Sequence, residues 1–76
     1  MENIKISNQI RKLRFMNGEM SQQELADRVS CTRQTIIALE QDRFLPSLLL
    51  AAKIAHVFGT TIEEVFRIEF ADSYEQ

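Results

Sequence analysis

Two adjacent side chains, Arg33 and Gln34, carry the recognition chemistry with the most favourable geometry in this 76-residue chain. A guanidinium is a rigid fork of donors and a carboxamide sets a donor beside an acceptor, so each can grip a planar edge at two points. If the segment is helical, turning Ile36, Leu39 and Glu40 inward turns Arg33, Gln34, Ile37, Ala38 and Gln41 outward together. Such a surface suits base edges: Gln34 fits adenine N6 and N7, and Arg33 fits guanine O6 and N7 or a phosphate. Each good pair discriminates by about 1 to 3 kcal/mol. Ile37 and Ala38 could contact thymine methyl groups, although Ile37, at the edge of this face, could equally belong to the core. Covalent chemistry has far less to work with. Cys31 is the single cysteine, so it has no disulfide partner within the chain, and it reads as a small buried hydrophobe ahead of a redox switch. His56 stands alone, without ligands at metal spacing, and the chain has no glycine-rich phosphate loop and no nucleophile beside a base. No enzyme activity, cofactor, metal or small-molecule ligand is therefore expected.

Length and composition narrow the setting. Seventy-six residues make a single domain, which on folding buries roughly 60% of the surface its unfolded chain exposes. A hydrophobic fraction of 45% with 26% charged residues is that of a globular protein, not of a disordered or fibrous one. No apolar run is long enough to span a bilayer and nothing resembles a signal peptide, so a reducing cytoplasm is the expected compartment. The net charge of −2 runs against a nucleic-acid partner, but its distribution does not. Up to residue 60 there are eight bases against six acids, a balance of +2, and from Thr61 onward one base against five acids, a balance of −4. The acidic tail, 67–76, should face away from any nucleic acid.

The elements that would present Arg33 and Gln34 are marked by helix punctuation. A first helix over 7–17 is stopped by Gly18. Ser21-Gln22-Gln23-Glu24 is a capping box that opens a second helix carrying Leu25, Ala26 and Val29 inward. Thr32 caps a third helix over 33–41, after a connection too short to allow anything but a steep crossing. Pro46-Ser47 precedes a strongly apolar fourth helix over 48–58, expected to be largely buried and ended by Gly59. Thr61-Ile62-Glu63-Glu64 is a second capping box and opens a short fifth helix holding Ile62, Val65 and Phe66. Asn3-Ile4-Lys5-Ile6 and Arg67-Ile68-Glu69-Phe70 alternate polar and apolar residues, which suits two short strands that could pair with each other. The fold class expected is all-α, a five-helix domain with a short two-stranded pairing of its terminal segments.

Between Gln22 and Gln41 the small and apolar residues sit where two crossing helices need them, with Ala26 at the crossing, where a larger side chain would push the axes apart. Gln22-Gln23-Glu24-Leu25-Ala26, Thr32-Arg33-Gln34-Thr35-Ile36 and Leu39-Glu40 resemble the lambda-repressor-like, or XRE, family of helix-turn-helix transcriptional regulators. Arg14, Pro46-Ser47, Phe58-Gly59 and Ile62-Glu63-Glu64-Val65-Phe66 extend the resemblance over about residues 8–66. It implies a homodimer that lays the third helix of each subunit in the major groove of a palindromic double-stranded operator, commonly as a repressor. It adds Gln22 as a phosphate contact beside the exposed amides of the second helix, with Thr32 among the DNA-contacting residues. Arg43, in the loop after the third helix, is a plausible phosphate anchor. Arg14 and Glu40 resemble a structural ion pair tying the first helix to the end of the third. Ser30 and Asp42 stand where the family often has glycine, so a positive φ is expected at Ser30, while Asp42 tolerates that region better than most residues.

Surplus apolar surface near the fifth helix supports dimerisation, with Leu45, Ile62, Val65 and Phe66 as the interface residues. Val65 and Phe66 could instead close the subunit's own core. Two other functions share this fold: a DNA-binding antitoxin whose acidic tail engages a toxin, and a protein-interaction domain that no longer binds DNA.

Overall fold

Four hydroxyl side chains set the starts of four helices in the computed structural model, which describes residues 4–70. The chain runs β1 (Ile4–Asn8), α1 (Ile10–Met16), α2 (Gln22–Val29), α3 (Arg33–Glu40), α4 (Leu48–Val57), α5 (Ile62–Val65) and β2 (Phe66–Phe70). Ser21, Thr32, Ser47 and Thr61 each accept a hydrogen bond from the backbone N–H three residues on, at 2.9, 3.2, 3.1 and 3.2 Å. Each thereby satisfies one of the amides that a helix start leaves without an intrahelical partner. The expected box at Ser21 is completed on one arm, since the Glu24 carboxylate turns along the helix to Arg28 at 2.9 Å. Asn3 and the acidic tail beyond Phe70 lie outside the described residues.

β1 and β2 pair antiparallel, with Ile6 opposite Ile68, Ser7 opposite Arg67 and Asn8 opposite Phe66. The pairing reaches further than the alternating sequence pattern implied and corrects the first helix. Ser7 and Asn8 belong to the strand, and α1 begins at Ile10, where the Asn8 Oδ1 accepts the Ile10 N–H at 3.1 Å. The Gln9 N–H then donates to the Val65 carbonyl at 2.8 Å, locking the strand-to-helix corner onto the end of α5. Gly18, at φ +77°, turns the chain out of α1 through a conformation that a side chain would strain.

Ile10, Leu25, Ala26, Val29, Ile36, Leu39, Ile54 and Val65 form the deepest part of the core. Each larger aliphatic among them contributes about 1.5 to 3 kcal/mol relative to exposure. α2 packs on α3 and α4, and α4 on α5. Val65 is wholly buried and Phe66 retains only 9% of its surface, so both close this subunit's own core. Val65 has no surface to offer a second subunit, which corrects its assignment to a subunit contact, and Phe66, assigned there too, leaves α5 to become the first residue of β2 and is taken up by the same core. α4 is also less enclosed than expected: Ala51, Ile54 and Ala55 are buried, whereas Leu48 stands 77% exposed. A helix at the edge of a five-helix bundle has one face to bury, and Leu48 and Leu49 at its start lie off that face, while Leu50 packs against the core.

Candidate nucleic-acid interface

α3 is held from behind by its core residues and at its end by two long-range side chains. Ile36 and Leu39 are buried, while Thr32, Arg33, Gln34 and Gln41 are exposed along the opposite side and Ile37 and Ala38 are half-buried between. The periodicity argument thus places the outward set on one surface, with Ile37 and Ala38 forming a partly sheltered apolar strip within it.

At the far end of α3, Arg14 meets Glu40 in a two-point pair, Nε to Oε2 at 2.7 Å and Nη2 to Oε1 at 3.2 Å. The remaining guanidinium nitrogen, Nη1, donates to the Met20 carbonyl at 2.7 Å. Both side chains are about nine-tenths buried, so the charges are withdrawn from water and hydrogen-bonded on several sides. Asn8 was not singled out in the sequence, yet its Nδ2 donates to the Leu39 carbonyl at 2.7 Å and to Asp42 Oδ1 at 3.1 Å. A lone asparagine ahead of an apolar residue carries no signal of a partner more than thirty positions away, and only the strand pairing brings it there.

Gln22 and Arg33 line one shallow depression with Arg14, Ser21 and Gln23, so the start of α2 and the start of α3 open onto a common surface. Gln22 is half-buried and its Nε2 donates to Glu40 Oε1 at 3.1 Å. That bond occupies one of the two Nε2 hydrogens, so the carboxamide keeps a second donor and its oxygen for other partners. Thr32 likewise uses its hydroxyl locally, as the cap of α3 and in a 3.0 Å contact with Thr35 Oγ1. Ser30 and Asp42 take φ of +61° and +59°, the left-handed region where glycine is the residue without penalty. Arg43 is exposed in the loop that follows, and its backbone N–H reaches back to the Ala38 carbonyl at 3.0 Å.

Cys31 sits half-buried just before this surface. Burial pushes its thiol above the ordinary value, and the charge of Lys53 only partly opposes that shift. The thiolate is therefore disfavoured. Among the described residues no group of three or more His, Cys, Asp or Glu side chains converges as a metal site would require.

Away from α3, a second surface is apolar. Ile6, Leu45, Pro46, Leu48, Ile62 and Ile68 line a groove between the sheet and the start of α4, with Phe66 along it. Leu45, 64% exposed, and the half-buried Ile62 were expected at a subunit contact. Leu48 and Ile68 were not, because an apolar residue in a helical or alternating pattern reads as core until its surroundings are known.

Comparison with known proteins adds a family match, two relatives and one solved structure. A helix-turn-helix family model matches residues 10–65. An uncharacterized HTH-type transcriptional regulator of Methanothermobacter thermautotrophicus is 53% identical over 51 residues, covering 66% of this chain and 74% of that protein. The uncharacterized HTH-type regulator YgzD of Bacillus subtilis is 42% identical over 64 residues, 84% of this chain and 96% of its own. A crystal structure of a Bacteroides fragilis protein put forward as DNA-binding superimposes with a TM-score of 0.71, covering 83% of this chain and all of that one. At 17% identity, that likeness speaks for the fold alone.

Proposed function

The chain belongs to the XRE-type helix-turn-helix transcriptional regulators, and from that premise we propose that it is a cytoplasmic repressor that binds a palindromic double-stranded operator as a homodimer. The observation that carries this reading is the exposed row of Arg33, Gln34 and Gln41 on a helix fixed by buried contacts on its other side. A major groove about 12 Å wide admits one helix, and a helix that is already rigid loses little freedom on entering it. Arg33 and Gln34 read base edges, Ile37 and Ala38 meet apolar groups there, and Gln41 extends the row. Gln22 gives one Nε2 hydrogen to Glu40 and keeps the second for a phosphate oxygen, beside the backbone amides at the start of α2. Arg43 and Thr32 lie at the two ends of α3, beside the strands' phosphates.

The dimer rests on the apolar groove. β1 and β2 are a two-stranded ribbon, an element barely stable in water without something against its apolar face. A second copy related by two-fold symmetry presents the same groove and the same ribbon, so Leu45, Leu48, Ile62 and Ile68 of each meet their counterparts. Two reading helices spaced by about 34 to 36 Å then address successive turns of one face of the duplex.

Selection of bound sequences from a random duplex pool, with wild type and Gln34→Ala side by side at a fixed salt concentration, tests the proposal. A palindromic consensus that loses definition at one position per half-site in the variant is the expected result. Recovery of no consensus by the wild type overturns it and leaves the protein-interaction reading.

A further inference from the structure

On the outer side of α3, Gln34 and Ala38 of the reading surface line a small hollow together with Thr35 and Phe44, two residues to which that surface has so far given no part. Phe44 belongs to the loop after α3, not to the helix. The bond from the Arg43 N–H to the Ala38 carbonyl folds that loop back against the last turn. The ring remains 45% exposed, an aromatic side chain left in water next to the polar Gln34. Thr35 brings its methyl and a hydroxyl already in one hydrogen bond, with Thr32 Oγ1 at 3.0 Å. Ala38 and Phe44 offer only carbon to the hollow, and Gln34 offers a carboxamide beside it.

Unmodified DNA presents a single kind of apolar group in its major groove, the C5 methyl of thymine; at the same place cytosine carries only hydrogen. A methyl is also about the size that a one-residue hollow between an alanine and a ring can enclose. We propose that this hollow is a receptor for the thymine methyl and that Phe44, a loop residue, is a specificity determinant beside Gln34. The inference rests on the reading that α3 enters the major groove. Gln34 and Ala38 are one turn apart, about 6 Å along the helix axis, against about 3.4 Å per base-pair step. The thymine therefore lies in the adenine-thymine pair that Gln34 contacts or within two steps of it.

The test uses the operator selected by the wild-type protein and replaces each thymine singly by deoxyuridine, which removes the methyl and nothing else. One position per half-site is expected to lose affinity about fourfold, the value of one buried methyl-sized group, and about fifteenfold when both half-sites are changed together. Phe44→Ala is expected to bind the thymine and deoxyuridine duplexes with equal affinity. A flat deoxyuridine scan with the wild-type protein overturns the proposal, and so does a Phe44→Ala protein that still discriminates. The wild-type scan needs no variant, so a misfolded mutant cannot hide the answer. A clear consensus with a flat scan removes only the hollow's role, whereas the absence of any consensus removes the regulator reading beneath it.

Discussion

Glu40→Ala is the substitution for which the structure sets the largest number. It deletes the carboxylate that takes two of the three hydrogen bonds of Arg14 and also accepts from Gln22, while leaving a guanidinium that is nine-tenths buried. Breaking such a pair from one side costs about 3 to 5 kcal/mol, because the surviving charge stays in a poorly solvated place. The Met20 carbonyl still accepts from Nη1, which holds the loss within that range instead of above it. A chain of this length has a total stability of about 4 to 11 kcal/mol. Glu40→Ala should therefore take away about a quarter or more of it and lower the melting temperature by at least about 12 °C, at about 4 to 8 °C per kcal/mol.

Urea unfolding followed by circular dichroism, at one protein concentration because dimerisation adds its own stability, measures the difference directly. The double variant Arg14→Met with Glu40→Leu supplies the control. It removes both charges and keeps the volume, at the expense of the Met20 carbonyl's donor, so it should be clearly less damaging than Glu40→Ala. A Glu40→Ala loss below about 1 kcal/mol would refute the reasoning, since that is the worth of an exposed ion pair. A double variant as damaged as the single one would refute it from the other side.

Three further substitutions draw on backbone and hydrogen-bond geometry. Ser30→Gly relieves a positive φ at an exposed position whose hydroxyl makes no hydrogen bond among the described residues, and should raise stability by about 1 kcal/mol in the same urea experiment; Asp42→Gly should gain less, because it also removes the acceptor of Asn8. Asn8→Ala leaves the Ile10 N–H without its partner and the Leu39 carbonyl with the Asp42 N–H alone, and should cost about 1 to 3 kcal/mol, with hydrogen exchange accelerated at Ile10.

The helix starts were legible because a cap is a local event: a hydroxyl, its own backbone and an amide three residues on are all within one stretch of sequence, and Ser21, Thr32, Ser47 and Thr61 behave as that stretch implies. The outward set on α3 was legible for the same reason, as periodicity is written along one helix. What eluded the sequence depends on neighbours far along the chain. Ser7 and Asn8 extend a strand because Arg67 and Phe66 arrive opposite them. Val65 and Leu48 are both apolar and both helical, and only the packing of α5 and α4 decides that one is sealed in and the other left in water. Gln22 reads as an exposed polar residue until Glu40 is seen beside it.

These long-range ties have a common consequence for how α3 is presented. Its last turn is gripped twice, by Asn8 from the end of β1 at the Leu39 carbonyl and by Arg14 from α1 at Glu40, while its outer face makes none of these bonds. Asn8 is also the residue that joins β1 to α1 through the Ile10 N–H. The ribbon and the reading surface are therefore connected through one side chain, with no flexible linker between them. If a second copy sits on the ribbon and groove, the orientation of each α3 relative to the two-fold axis is set by rigid contacts within the subunit. Adjusting the half-site spacing would then mean breaking a buried hydrogen bond, so an operator of the wrong spacing is penalised by the protein's own interior as well as by lost contacts with DNA.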